Sequence, residues 1–420
     1  MKTVLLHYGN TMIECDFNSH VPIQVIKPNP YPTAGDPKIQ IEQALRNPLG
    51  LGDLGKFHQA KSIGIAINDQ SRPVPHSILL PILIKYLNNI TNSECSLRFF
   101  IATGTHEPLN DNSFHLTVPN EVLNAFHVSS HDCDEQENLV YLGETTRKTP
   151  VWINKKFMEC DIKIAVGDIE PHHFMGYSGG AKSIVIGLAG RKTITANHRW
   201  LLDENAHSGK YEGNPIREDV EEMGDIVGVD ACLNAVLTLD KQIAAVFWGS
   251  PRIVMQMGIP LVENICMVKV EKKFDLLIAS AGGHPKDINL YQAQKALTHA
   301  CMLANPNATV VLVAACPDGM GSKGFEDLLT TSKDMSAVIN KFSEMPFTLG
   351  PHKAYQLARQ AMKNSIYLLS EMNSAFVQQC HIQPLNSLKE LLEQMRAKNS
   401  GHLPSTAVLP YATSTIPIFK

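Results

Sequence analysis

Three short apolar segments constrain this chain more than any other feature. Ser62–Asn68 (SIGIAIN), Leu97–Thr103 (LRFFIAT) and Asp161–Gly167 (DIKIAVG) are rich in Ile, Phe and Val. Each runs straight into polar residues: Asp69, Gly104-Thr105-His106 and Asp168. Near-continuous apolar runs of this length, without alternation, suit strands buried on both faces, as in a largely parallel sheet covered by helices. In such sheets ligands sit beyond the carboxyl ends of the strands, so the residues after each run are where chemistry is expected.

The same pattern recurs further on. Phe274–Ser280 (FDLLIAS), Thr309–Ala315 (TVVLVAA) and Ser365–Leu369 (SIYLL) predict a second α/β unit. Between the two sets, Leu233–Asp240 and Gln242–Trp248 read as a hairpin, and Glu271-Lys272-Lys273 as a charged break. A helix is expected from about Asn289 to Leu303, capped by Asp287 or Asn289, and an amphipathic one over Ser387–Lys398. The expected architecture is therefore α/β, in two domains that each hold a mostly parallel sheet flanked by helices. Residues 1–270 form the first and 271–403 the second. The apolar, Pro-containing tail 404–420 is expected to return to the first domain, and the active site to lie in the interdomain cleft.

Composition excludes several classes. With 420 residues, 44% hydrophobic and 19% charged, the chain is ordinary globular protein. A net charge of −4 offers no basic surplus for nucleic acid or an anionic membrane. No apolar run reaches the roughly 20 residues a spanning helix needs. The N-terminus MKTVLLHYGN reads as a strand and not a signal peptide, so a cytoplasmic protein is expected. Nine widely spaced cysteines without a CxxC argue against both a disulfide framework and a thiolate zinc site.

The densest chemistry lies in Pro171–Gly190, PHHFMGYSGGAKSIVIGLAG. Gly179 and Gly180 permit a close main-chain approach to an anion, and a helix starting near Lys182 would add the field of its N-terminus. This is neither a Walker A loop nor a GxGxxG fingerprint, and a plain tight turn reads equally well. Lys182 can serve as a phosphate partner or as a nucleophile, and a solvated surface lysine is the plainer alternative. His106 and His172 follow different strands. Two imidazoles facing each other across a cleft would suit proton transfer on opposite faces of one carbon, although structural histidines are commoner. His198, in TANHRW, can be a lone metal ligand, with no HExxH or cysteine set beside it. Arg72, in DQSRPVP, stands at a strand mouth where a guanidinium recognises carboxylate. Tyr291, Gln292 and Lys295 fall along one side of the expected helix and suit a small acid; an exposed amphipathic face is the bland reading.

Together, DQSRPVP, GTHEP, PHHFMGYSGGAKSIVIGLAG, TANHRW and HPKDINLYQAQK, in this order and spacing, resemble the nickel-dependent lactate racemase family over most of the chain. The resemblance implies an isomerase that racemises or epimerises a 2-hydroxy acid by proton-coupled hydride transfer through a 2-keto acid. It implies a nickel-pincer nucleotide, a pyridinium mononucleotide that holds nickel through carbon and two sulfurs. Lys182 would carry it in a thioamide link, and His198 would be the single protein ligand to nickel. Asp69, Ser178, Gly179 and Gly180 would hold its ribose-phosphate end. His106 and His172 would be the acid/base pair. Arg72, Gln292 and Lys295 would hold the substrate, with Tyr291 lining the pocket. The expected partners are a small 2-hydroxy acid and the proteins that make the cofactor, with no nucleic acid or membrane.

The chain departs from the family pattern at Tyr177, Ala181 and Ile186, and His173 adds an imidazole. Its tryptophans are Trp152, Trp200 and Trp248, so the late tryptophan of lactate-type members is absent and Tyr355 is expected in its place. These changes point to an acid of a different size from lactate. A non-catalytic nickel- or nucleotide-binding protein would need the anchor but not the histidine pair, and a zinc hydrolase would need ligands the sequence does not offer.

Overall fold

The computed structural model describes residues 2–17, 23–33, 35–72 and 74–419, so Pro73 of the DQSRPVP segment lies outside the described residues. Contacts divide the chain into two units, residues 30–265 and residues 1–29 with 266–420.

The first unit holds a six-stranded sheet in the order Ile243–Gly249, Ala231–Leu237, Ile162–Asp168, Ser62–Asn68, Ser96–Ala102, His127–Ser130. All neighbours are parallel except the first two, which form the expected hairpin. Ser62–Asn68 lies between two parallel partners, with Ile65 opposite both Phe99 and Ile164. Ile63, Ile65 and Ile67 point to one face and join Leu79, Leu80, Leu83 and Leu87 of helix His76–Ile90 in a single core. On the other face a Cβ at Gly64 would lie 2.9 Å from the Phe157 ring, so a helix packs there almost against the strand. Coverage of both faces is why these strands read as unbroken apolar runs.

Helix Pro215–Val227 shows a sequence-encoded start and stop. Asn214 caps it, accepting from the Ile216 and Arg217 N–H groups, Pro215 opens its first turn, and Gly228 ends it at φ +68°.

The second unit holds another six-stranded sheet, ordered Gln383–Leu385, Ser365–Leu369, Ala304–Val313, Phe274–Ser280, Thr406–Leu409, Ile23–Val25, and parallel throughout. Here the expected domain plan needs two corrections. The tail does not return to the first domain. Thr406–Leu409 is an interior strand beside Phe274–Ser280, buried over its whole length, and Ile416–Phe419 pairs with Met267–Val270. Residues before 30 also belong to this unit. The hairpin of Lys2–Tyr8 and Thr11–Phe17 packs Leu6 and Phe17 against Leu276, Ile278 and Val311. Asp287 pins its turn by accepting from Gly9 N–H at 2.7 Å and Ala315 N–H at 3.1 Å. Burial of apolar surface on that sheet face decides both placements.

All nine cysteines are free thiols. Among the described residues, no helix is long and apolar enough to cross a membrane.

Candidate active site

Asp69 and Arg72, His106, and His172 follow the carboxyl ends of three adjacent strands, Ser62–Asn68, Ser96–Ala102 and Ile162–Asp168. Asn68 and Asp168 end neighbouring strands, and Asn68 Nδ2 donates to Asp168 Oδ1 at 3.3 Å. Asn68 Oδ1 in turn accepts from Ser183 Oγ at 2.8 Å, which ties the lysine segment to the sheet. The loop after Ser96–Ala102 is tied to that segment by Gly104 N–H donating to Gly187 O at 2.9 Å. Beyond these ends, Arg72 Nη1 lies 3.4 Å from Glu170 Oε1, both partly exposed. Asp168 is fully buried, and its carboxyl is pushed up to about 7 by desolvation and by Glu170, against the pull of Lys241, Arg72 and Lys182.

Lys182 is 7% exposed, and its Nζ donates to Ser178 Oγ at 3.0 Å. The preceding turn requires glycine. Gly179 and Gly180 have φ of +98° and +63°, and a Cβ on Gly180 would lie 2.8 Å from Arg217 Nη2 and 2.9 Å from Met255 Cγ. Two expectations about this turn change. The Gly180 N–H donates inward to Asn234 Oδ1 at 2.7 Å and the Ser178 N–H to Glu170 O at 2.8 Å, so neither is directed at an anion. The helix beginning at Lys182 runs only to Val185, too short to build a helix-terminal field. The turn instead rests on a residue that sequence reading missed. Arg217 is wholly buried, and its Nη1 donates to Tyr177 O at 3.3 Å and Gly179 O at 3.1 Å. Glu221 compensates its charge by accepting from both Nε and Nη2. In the sequence, NPIREDVEEM resembles a solvated helix start, and only tertiary burial reveals the role.

His106 follows strand Ser96–Ala102, and its Nδ1 lies 2.6 Å from Asp69 Oδ2. Asp69 is buried, and both its oxygens are engaged, since Oδ1 accepts from Ser71 N–H at 3.0 Å and Ser71 Oγ at 2.6 Å. Burial pushes this carboxyl up, but His106, Ser71 and Arg72 outweigh it and hold it below the usual range. His172 is also buried, and its Nδ1 accepts from Met175 N–H at 3.2 Å.

His198 closes helix Arg191–His198. The Phe174 ring stands edge-on to both His198 and His172, with centroids 5.0 and 4.6 Å away, so these two histidines share one aromatic cluster with His173. The Asn197 amide is oriented by donating to Asp219 Oδ2 at 2.8 Å and Ile216 O at 3.1 Å. Its oxygen therefore faces His198 Nδ1 at 3.0 Å, so that nitrogen carries the hydrogen and Nε2 keeps the lone pair a metal needs. Among the described residues the one other grouping with metal-ligand spacing is Asp132, Cys133 and Asp134, where Arg191 already pairs Asp134.

The second unit carries its own polar cluster. Asn289 caps the helix start by accepting from Gln292 N–H at 3.0 Å, whereas Asp287 is committed to the N-terminal hairpin. The expected continuous helix breaks at Gln294 into Leu290–Ala293 and Lys295–Met302. Even so, Lys295 Nζ reaches Gln292 Oε1. Sequence reading missed two neighbours of Tyr291. His352 stands edge-on at 6.1 Å, and Lys353 is fully buried with Nζ 5.7 Å from the Tyr291 ring centroid. Burial, then the Lys295 charge, drives the Lys353 ammonium well below the usual lysine range. Tyr355, expected in this neighbourhood, stacks on Phe342 at 4.8 Å.

Comparison with known proteins bears on both units. Residues 8–209 match the lactate racemase N-terminal domain and residues 269–416 the lactate racemase C-terminal domain. The lactate racemase of Thermoanaerobacterium thermosaccharolyticum is 30% identical over 84% of each chain, and that of Lactiplantibacillus plantarum 28% over 88% of each. The solved lactate racemase apoprotein from T. thermosaccharolyticum superposes with a TM-score of 0.92, covering 99% of this chain and all of that one at 27% identity. A Thermotoga maritima protein at 13% identity and TM-score 0.68 shares the fold. The chain belongs to the lactate racemase family.

Proposed function

We propose that the protein racemises or epimerises a 2-hydroxy acid, using a nickel-pincer nucleotide attached through Lys182. The observation that carries this reading is the seat of Lys182. It is almost fully buried, its amine rests on a serine hydroxyl, and it stands after a turn that only glycines can form. A lysine kept from water at a strand mouth is suited to forming a bond.

The donor set fits the cofactor. A nickel whose carbon and two sulfur ligands came from the nucleotide would need one more ligand from the protein. His198, its Nδ1 facing the oxygen of an Asn197 amide that Asp219 orients, would be that ligand through Nε2. When bound, the group supplies an acceptor for the hydride that leaves the substrate Cα. The remaining work falls to side chains. His106 and His172 handle the hydroxyl proton as the acid passes to a 2-keto acid and back. Arg72, paired with Glu170 here, exchanges that carboxylate for the substrate's. Gln292 and Lys295 suit a carboxylate, and Tyr291 provides an apolar wall. The departures at Tyr177, Ala181 and Ile186, and Tyr355 in place of a tryptophan, favour an acid other than lactate. The protein works in the cytoplasm and meets the cofactor-making proteins during loading.

The reading is tested by intact-mass spectrometry of protein made together with the cofactor pathway. The expected result is an adduct on Lys182 with about one nickel per chain, matching the single His198 ligand. Absence of an adduct under those conditions sinks the proposal. A panel of 2-hydroxy acids followed by chiral analysis identifies the substrate.

A further inference from the structure

The two histidines of the candidate pair are held by opposite kinds of partner. An ionised carboxylate can only accept hydrogen bonds, and a main-chain N–H can only donate. Asp69 Oδ1 takes both Ser71 donors, which leaves Oδ2 directed at His106 Nδ1 2.6 Å away. The Ser71 hydroxyl has spent its hydrogen on Asp69, so at 3.4 Å from the same Nδ1 it can only accept. His106 Nδ1 must therefore carry the hydrogen, and its Nε2 holds the lone pair. At His172 the Met175 N–H donates to Nδ1 at 3.2 Å, so the hydrogen of the neutral ring sits on Nε2.

We infer that Asp69 is the positioning residue of His106 rather than a ligand of the nucleotide's ribose-phosphate end, and that the resting enzyme holds its two histidines in opposite tautomers. His106 presents Nε2 as a proton acceptor, and His172 presents Nε2–H as a hydrogen-bond donor. The inference rests on the racemase reading for the roles of the two rings, but the tautomers belong to the chain itself. In the step served by His106, the substrate O–H bond breaks as an N–H bond forms at Nε2. The imidazolium so formed is compensated by Asp69, which stays ionised. A substrate whose hydroxyl faces His106 thus meets an acceptor, whereas its mirror image facing His172 meets a donor and can pass its hydroxyl proton to Nε2 only after the ring hydrogen has moved to Nδ1 and the Met175 N–H contact has opened. For a racemase the equilibrium constant of one forces equal kcat/KM for the two enantiomers. The asymmetry therefore shows as unequal kcat and unequal KM that cancel in the ratio.

The test begins with cofactor-free protein labelled with 15N-histidine, in which long-range proton–nitrogen spectra separate the tautomers. His106→Gln and His172→Gln assign the signals. The expected result is Nδ1–H at His106 and Nε2–H at His172. The same tautomer at both overturns the inference, whatever the loading experiment gives. In Asp69→Asn the amide can donate to Nδ1, so His106 should change to Nε2–H. The Lys182 adduct should still form, and kcat should fall about 10²- to 10⁴-fold, the range for a catalytic histidine turned to the wrong tautomer. Asp69→Glu should restore the Nδ1–H signal. An Asp69→Asn protein that keeps Nδ1–H at His106 but loses the adduct would return Asp69 to the cofactor and overturn the assignment.

Discussion

The two clusters of candidate residues are built differently. In the first unit, several buried polar groups around the lysine turn and the histidines are oriented by other buried groups. Arg217 holds the glycine turn, Asn234 takes the Gly180 N–H, Asp69 is fixed by Ser71, and Asn197 is fixed by Asp219. In the second unit, Tyr291, Gln292 and Lys295 come from two consecutive helices of four and eight residues, and His352 and Lys353 from the start of helix Pro351–Ala361, where ring contacts to Tyr291 join them. The first arrangement would suit the covalently held group proposed for Lys182, since sub-ångström placement depends on a supporting shell. On the proposed function, substrate choice would fall to the second.

The contrast can be broken most directly at Lys182. Lys182→Ala should abolish both the mass adduct and all racemisation while the chain still folds, because the sheet and its apolar core do not depend on this side chain. Circular dichroism with thermal melting checks the fold. An adduct that survives in this variant would move the anchor elsewhere and dissolve the difference between the clusters.

The next effect is expected in the second unit. Lys295→Met should raise KM about 10- to 100-fold, the equivalent of a lost charged hydrogen bond of ~1.5–3 kcal/mol, with cofactor loading unchanged. Lys353→Met separates binding from burial. A buried lysine whose pKa is depressed destabilises the fold below its ordinary pKa, and this penalty fades as pH rises toward about 10.4. Wild-type stability should therefore gain from pH 7 to 10 in a way the methionine variant does not. If Lys353→Met also raises KM, the substrate meets two ammonium groups.

Asp168 gives a third, smaller effect. Its carboxyl is raised to about 7 by burial and by Glu170, so the folded chain binds a proton that the unfolded chain releases near pH 4. The resulting penalty is absent below about pH 4, grows as pH rises, and is complete above about 7. Asp168→Asn, which can still accept from Asn68, should stabilise the cofactor-free protein at pH 8 by roughly 2–4 kcal/mol and leave it unchanged at pH 4. Urea unfolding at the two pH values measures this. Equal stabilisation at both would mean that the carboxyl is not raised.

How much of this was legible in the sequence follows the same division. The strand ends could be read because unbroken apolar runs bounded by Asp, Thr and Gly report burial directly. The placement of both chain termini in the second unit was not legible. Ile23–Val25 is three residues long, and Thr406–Leu409 pairs with a strand some 130 positions away. Arg217 and Lys353 were hidden for another reason. A buried charge looks like a surface charge until its neighbours are known, and both lie in stretches rich in polar residues. The Asp69–His106 link joins loops after two neighbouring strands, so proximity to chemistry was visible while the identity of the partner was not.

The smallest expected effect compares one kind of residue in both regions. Asn214 and Asn289 each cap a helix through a side-chain oxygen. At Asn214 the amide nitrogen also donates to Phe174 O at 2.9 Å and Lys210 O at 3.1 Å, and the residue is fully buried. Removing that side chain loses the cap and leaves buried carbonyls without a donor, so Asn214→Ala should cost roughly 2–4 kcal/mol. It should also disturb the turn that Phe174 and Arg217 support. Asn289→Ala loses one cap on a helix of four residues, worth about 1 kcal/mol locally, and global unfolding should barely register it. The helix carries Tyr291 and Gln292, so the loss should appear instead as a KM raised a few-fold, since ~1 kcal/mol corresponds to about 5-fold. Equal costs at the two asparagines would mean that the second cluster is held as tightly as the first, and would remove the physical basis for placing substrate choice there.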